Sequence, residues 1–233
     1  VMGFAEIENR GVLEKLCSST LLRKCGYRIV HFDSSDRRGI DVAFLYRTTC
    51  SSLLSTYLKT PETDGNKLQT RDMLHISLKD LQTDEIYDYI VCHHPSKFGG
   101  EESSRPKRLA AMTALKEMCD SLANRNLIVM GDFNDVPSAA QFDMLDSSLV
   151  NKSDSLHAAG RGTIRYEGKW ELIDMFLVSP HISDNTEMEI VKVPFLMTRD
   201  TKHPGEKPLR TYSGPRHLGG VSDHLPVVLY FRK

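Results

Sequence analysis

A chain of 233 residues suits one large α/β domain, and its 40% hydrophobic content is enough to bury a substantial core. A formal net charge of −1 excludes a chain-wide electrostatic pull on nucleic acid, so any polyanion must be met by a local patch. Five cysteines, an odd number without a C-x-x-C spacing, argue against both a disulfide framework and a thiolate zinc site, and no apolar run approaches the ~20 residues of a membrane helix.

Residues 1–5 are apolar and read as the end of a strand, too short for the hydrophobic region of a signal peptide. Glu6 and Glu8 follow, then Val12, Leu13, Leu16, Leu21 and Leu22 recur at helical spacing, with Glu8 facing solvent or capping that helix. Residues 40–46, 53–58, 73–78 and 86–92 are rich in β-formers and read as strands, with turns at 64–66 and 83–85.

The clearest helix takes Pro106 into its first turn. Its apolar stripe runs through Leu109, Met112, Leu115, Met118 or Cys119, and Leu122, and ends near Asn124. Residues 127–130 form a fully apolar run, as expected of a buried central strand. Gly131-Asp132-Phe133-Asn134-Asp135 therefore sits at a strand's end, with Asp135 as N-cap of a helix through Ala139 and Phe142. Residues 171–178 form a strand carrying one inward acid, Asp174. Residues 194–220, rich in Pro, Gly and basic side chains, suit a long surface loop before a last strand that starts near Ser222-Asp223-His224-Leu225-Pro226. Strand-rich halves with helices between them fit two packed sheets covered by helices.

Polar groups follow or interrupt these β-runs at Glu6, His93, Asp132 with Asn134, Asp174, and Asp223 with His224. Each motif alone also suits a plain strand-end turn, because Asp, Asn and Gly are ordinary turn formers. Together they match one task, since strand ends converge on a rim. Carboxylates there hold a hard cation or activate water, and imidazoles hold a developing oxyanion.

In order and approximate spacing, Glu6, Gly131-Asp132-Phe133-Asn134, Ile173-Asp174 and Ser222-Asp223-His224-Leu225-Pro226 resemble the endonuclease/exonuclease/phosphatase superfamily, the deoxyribonuclease I-like fold. The resemblance spans almost the whole chain. It implies a four-layer α/β/β/α sandwich of two packed mixed sheets flanked by helices, in a single domain covering 1–233. It implies that Glu6 is the principal ligand of Mg²⁺, with Mn²⁺ as a substitute, and that Asp223 is a second ligand. It further implies that Asp132 orients or deprotonates the attacking water and that Asn134 holds the phosphate or that water. His224 would donate to the phosphate, Asp174 would fix its tautomer and charge, and His93 would be a further donor, with His94 as its substitute. The superfamily also carries an asparagine on a strand upstream of the metal-binding glutamate. Only five residues precede Glu6, so the expectation is a domain lacking its first strand as written, the ordered part of a longer protein.

For substrate contacts the sequence offers Arg38 after Arg37, and Arg108 with Arg105 and Lys107 near a helix start, where free N–H groups favour anions. Lys202, Lys207, Arg210 and Arg216 dot the late loop, and Trp170 and Tyr212 suit either base stacking or core packing. The expected function is Mg²⁺-dependent hydrolysis of phosphate esters, with a phosphodiesterase or nuclease first and nucleic acid among its partners. The alternatives are a phosphomonoesterase on inositol phosphates or lipid headgroups, and a non-catalytic binding module of the same fold. A protein or membrane surface docking on the late loop is a further reading.

Overall fold

The run Leu127, Ile128, Val129 and Met130 alternates between two hydrophobic cores, so every one of its side chains is buried. A computed structural model describes residues 1–97 and 99–232. The larger sheet is built from β4 (Ser51–Lys59), β5 (Met73–Asp80), β6 (Ile86–His93), β7 (Asn126–Asp132), β8 (Val150–Asn151) and β9 (Asp174–Val178), preceded in the chain by β1 (Met2–Ile7), β2 (Tyr27–His31) and β3 (Asp41–Arg47). Its order is β8-β9-β7-β6-β5-β4, and β6–β7 is the parallel pair in an otherwise antiparallel array. That pair needs a crossover, and the helix α2 (Glu101–Ser121) supplies it.

One face of this sheet packs on α2 through Met112, Leu115, Met118, Cys119 and Leu122. The other face, with Leu74, Ile76, Val91, Ile128 and Met130, meets Val30, Val42, Phe44 and Tyr46 of the antiparallel sheet β1-β3-β2. Leu13, on α1 (Arg10–Ser19), is fully buried. The layers are therefore helix, mixed sheet, antiparallel sheet and helix. The second β layer is split: β10 (Thr186–Ile190) and β11 (Val227–Phe231) pair as a separate ribbon. A cleft separates the edge of β1 from that of β11, lined by Val1 to Ala5 on one side and Val227 to Leu229 on the other.

Several local expectations are corrected. Of the two roles expected for Glu8 it takes the first, facing solvent, and Asn9 caps α1, its side chain accepting from the Val12 N–H. Leu21 is 94% exposed because its segment winds as a separate 3₁₀ turn, Leu21–Lys24. α2 begins at Glu101, so Pro106 lies past its first turn, and Leu109 is 48% exposed because Arg108 takes the buried position one helical turn before Met112. The late loop contains two small ribbons, Met197–Arg199 with Glu206–Pro208 and Tyr212–Ser213 with Arg216–His217. Among the described residues no helix is long and apolar enough to cross a membrane.

Candidate active site

Three neighbouring strands end in a row of polar residues. In the parallel pair β6–β7, His93 is the register partner of Asp132, and in the antiparallel pair β7–β9, Asp132 is the partner of Asp174. Gly131 makes this approach feasible: its φ is +141°, and a Cβ there would lie 1.9 Å from the Cys92 carbonyl oxygen. Beyond Asp132 the chain turns through Asn134, whose φ of +50° is a left-handed value that Asn tolerates.

That turn wraps the Asp132 carboxylate. The Asn134 N–H donates to Asp132 Oδ1 at 2.8 Å, and Asn134 Nδ2 donates to the His94 carbonyl at 2.8 Å and to Asp132 Oδ2 at 3.3 Å. Burial, followed by the charge of Asp174, pushes the Asp132 pKa up to about 7, against the opposing pull of His224, the Asn134 N–H and Arg71. His93 Nε2 lies 3.5 Å from Asp132 Oδ2, but burial and nearby Arg71 hold its pKa down at about 2. The imidazole is therefore neutral at pH 7, and the contact is dipolar rather than ionic.

His224 is the opposite case. Its Nδ1 lies 2.8 Å from Asp174 Oδ2. Burial alone would lower its pKa, but the Asp174 hydrogen bond and the charges of Asp174, Asp132 and Asp223 outweigh that and raise it to about 9. The buried Thr163 holds both partners in place. Its Oγ1 accepts from the Asp174 N–H at 3.4 Å, its carbonyl accepts from the Leu225 N–H at 2.8 Å, and the adjacent Ile164 bridges to His224.

His93, Asp132, Asp174 and His224 line one cavity of ≈ 1100 Å³, which includes the cleft between β1 and β11 and is also lined by Glu6, Arg38, Ser96, Asn134 and Asp223. Glu6 sits at the register shift of β1 with φ +60°, its carboxylate exposed and 4.0 Å from Arg38 Nη1. Asp223 is hydrogen-bonded by Arg210 Nη2, whose hydrogen bond and charge overcome the effect of burial and keep the carboxyl below its usual pKa. Asp132, Asp174 and His224 place polar atoms within 4.8 Å of one another, but a cationic His224 has no lone pair for a metal, so only the two carboxylates of this group are candidate ligands. With Glu6 and Asp223 nearby, the donor set is mainly carboxylate oxygen and suits a hard divalent cation.

A family model described as the endonuclease/exonuclease/phosphatase family matches residues 1–233. The chain belongs to this family. It is a phosphate-ester hydrolase of mixed α/β architecture, as members of the endonuclease/exonuclease/phosphatase family are. Among solved structures, the mannosyl-6-phosphatase of Bacteroides thetaiotaomicron is similar at TM-score 0.62 and 16% identity, covering 98% of this chain and 84% of that one. A D. rerio TDP2 complexed with a single-strand DNA product matches at 0.61 and 14%, covering 97% and 82%. The human Nocturnin catalytic domain with bound sulfate matches at 0.60 and 16%, covering 81% and 70%. At such identities the likeness is one of fold. No curated protein sequence matches the chain.

Against this family's pattern, the structure brings Glu6, His93, Asp132, Asn134, Asp174, Asp223, His224 and Arg38 to one cavity. It does not bring Arg108 there. That guanidinium is buried 2.6 Å from Glu101 Oε1 and also donates to Asp135 Oδ2, so it is an internal ion pair rather than a substrate contact. Asp135, expected as an N-cap, is the acceptor of that pair and of Lys97 at 2.7 Å, and the helix expected after it is a 3₁₀ turn, Ala140–Met144. His94 is buried outside the cavity lining, against Phe133. Trp170 packs at the core's margin, and Tyr212 is exposed beside His217.

Sequence reasoning missed a buried connector. Arg71 donates from Nη1 to Asp36 Oδ2 at 2.9 Å and from Nη2 to the His94 carbonyl at 2.7 Å. Asp36 in turn accepts from the Arg38 N–H at 2.8 Å, and the His94 carbonyl is shared with Asn134. Arg38 and Asp132, on different layers, are thus joined through one guanidinium. An arginine between two strand segments carries no local signal of this role.

Proposed function

We propose that the chain is a Mg²⁺-dependent phosphodiesterase that hydrolyses its substrate by in-line attack of water without a covalent enzyme intermediate. The observation that carries this reading is the convergence of Asp132, the Asp174–His224 pair and His93 on one cavity in which Arg38 is the one lining Lys or Arg among the described residues. A phosphodiester bears one negative charge and a phosphomonoester close to two, so a cavity whose lining cations are one guanidinium and the His224 imidazolium suits the diester better.

Mg²⁺, or Mn²⁺ in its place, would be held by Glu6 and Asp223 and would supply Lewis-acid charge to a phosphoryl oxygen. Asp132, with a pKa near neutrality, accepts the proton of the attacking water, and Asn134 keeps that carboxylate aimed. The new P–O bond forms as the ester P–O bond opposite it breaks, and the leaving oxygen departs with the bonding pair to be protonated by solvent. His224, held cationic by Asp174, donates to a non-bridging oxygen, neutral His93 is a second donor, and Arg38 receives the substrate's charge.

The test compares bis-p-nitrophenyl phosphate, p-nitrophenyl phosphate and plasmid DNA in Mg²⁺ and in EDTA, with Asp132→Ala as control. Mg²⁺-restored turnover of the diester, lost in Asp132→Ala, is the expected result. Turnover confined to the monoester would replace this reading with a phosphomonoesterase, and undiminished activity in EDTA would remove the metal from it.

A further inference from the structure

A second group of metal-ligating side chains lies outside the active cavity. β2 ends on His31, β3 begins on Asp41, and the loop between them carries Asp33; one ligand atom from each lies within 4.8 Å of the other two. Val30 and Val42 enter the core between the sheets, so the alternation of a strand directs His31 and Asp41 to the opposite face. Both side chains are buried there, His31 at 3% and Asp41 at 6% exposure. His31 Nε2 has no hydrogen-bond partner; Asp41 Oδ2 lies 3.3 Å away without forming a hydrogen bond. Asp41 Oδ1 is already occupied by the Ser34 N–H at 2.8 Å, which folds the loop back beside Asp33. A buried imidazole nitrogen left unsatisfied next to an incompletely used carboxylate calls for a further ligand.

We propose that His31, Asp33 and Asp41 bind one transition-metal ion, Zn²⁺ or Mn²⁺, that clips the loop of residues 32–40. One imidazole with two carboxylates favours these ions over Mg²⁺, which takes oxygen donors and keeps its waters. Two carboxylates balance the charge of the ion, and exposed Asp33 gives it a route from solvent. The same loop carries Asp36, anchored on Arg71, and Arg38, which lines the active cavity. The clip and the Asp36–Arg71 pair therefore hold the loop at two points and fix where Arg38 stands. That consequence rests on the phosphodiesterase reading; the metal site itself does not.

The experiment measures Zn²⁺ and Mn²⁺ binding by calorimetry and by elemental analysis after dialysis, and Co²⁺ binding by visible absorption, without substrate. It uses the full chain, Asp33→Asn, His31→Gln and, as a control in the active cavity, Asp223→Asn. The expected result is one equivalent of Zn²⁺ bound at least about tenfold more weakly in Asp33→Asn and His31→Gln, and unaltered in Asp223→Asn. Equal stoichiometry and affinity in the full chain and in Asp33→Asn would overturn the proposal and leave His31 and Asp41 as a plain pair. Loss of all Zn²⁺ binding in Asp223→Asn would also overturn it, by assigning the metal to the active cavity. Asp33 is exposed, so its variant reads out even where His31→Gln misfolds.

Discussion

Asp132 and Asp174 are register partners across β7 and β9, yet only Asp174 is hydrogen-bonded to an imidazole, with its Oδ2 2.8 Å from His224 Nδ1. Two like acids side by side thus differ: burial brings the Asp132 pKa up to about 7, while Asp174 keeps a histidine charged.

Asp174→Asn removes the group that raises the His224 pKa to about 9, so that pKa falls toward its ordinary 6.5. The proton required on His224 is then lost earlier as pH rises. The alkaline limb of the pH–rate profile is expected to move from about 9 to lower pH, by at least one unit. The same pair contributes stability that is fully present below pH 6.5 and is lost as pH rises through about 9, so the difference in urea midpoint between wild type and variant is largest at pH 6. An unmoved alkaline limb would detach His224 from the rate.

Asp132→Asn is expected to lower turnover by about 10²–10⁴-fold while making the protein more stable. The folded-state pKa of Asp132 is raised from 3.8 to about 7, so folding is progressively disfavoured as pH rises from 3.8 to 7 and stays disfavoured above. Removing the charge should add about 1–3 kcal/mol at pH 8 in the metal-free protein. Urea denaturation at pH 4 and pH 8 checks this, with the gain confined to pH 8.

Arg71→Ala takes from the Asp36 carboxylate, 7% exposed, its buried cation and leaves it the half-exposed Arg38 at 3.5 Å. The expected loss is about 3–5 kcal/mol. Arg71→Lys keeps a cation beside Asp36 but not the two-pronged reach to the His94 carbonyl, so it should recover stability in part and still raise KM for the diester. Denaturation midpoints and steady-state kinetics on the three proteins separate the two effects.

Gly131→Ala sets a Cβ 1.9 Å from the Cys92 carbonyl in a backbone conformation with φ +141°. Neither β6 nor β7 can give way without breaking the row of His93, Asp132 and Asp174. The variant is expected to lose more than about 3 kcal/mol and all activity, as measured by circular dichroism melting.

Glu6→Gln is expected to leave the melting temperature unchanged, because the side chain is 60% exposed, and to raise the Mg²⁺ concentration needed for half-maximal rate by tenfold or more. An unaltered Mg²⁺ requirement would remove Glu6 as a ligand.

Much of this was legible along the chain because it is written in local pattern. The unbroken apolar run at 127–130 has no polar face and is consistent only with burial on both sides, and the stripe from Met112 to Leu122 has the period of a helix packed on one side. The acids and histidines at strand ends stood out because charge is rare beside such runs. Among the strands that were overlooked are Tyr27–His31 and Thr186–Ile190; in the first, Arg28 falls on the face of core-facing Val30 and breaks the apolar pattern, and the second alternates buried and exposed but carries only two large apolar side chains, Met188 and Ile190.

By itself the sequence determined which segments are apolar on two faces or one, and which chemical groups end those segments. The tertiary structure alone decided which ends meet. Register set His93, Asp132 and Asp174 in a row, a threonine ten residues upstream of Ile173 joined Asp174 to His224, and burial raised the pKa of Asp132 while its register partner took a histidine. Arg108 and Arg38 look alike in sequence, yet one is sealed against Asp135 and the other opens on the cavity. The reason is physical: pKa and access depend on what surrounds a side chain within a few ångströms, and those neighbours come from distant parts of the chain.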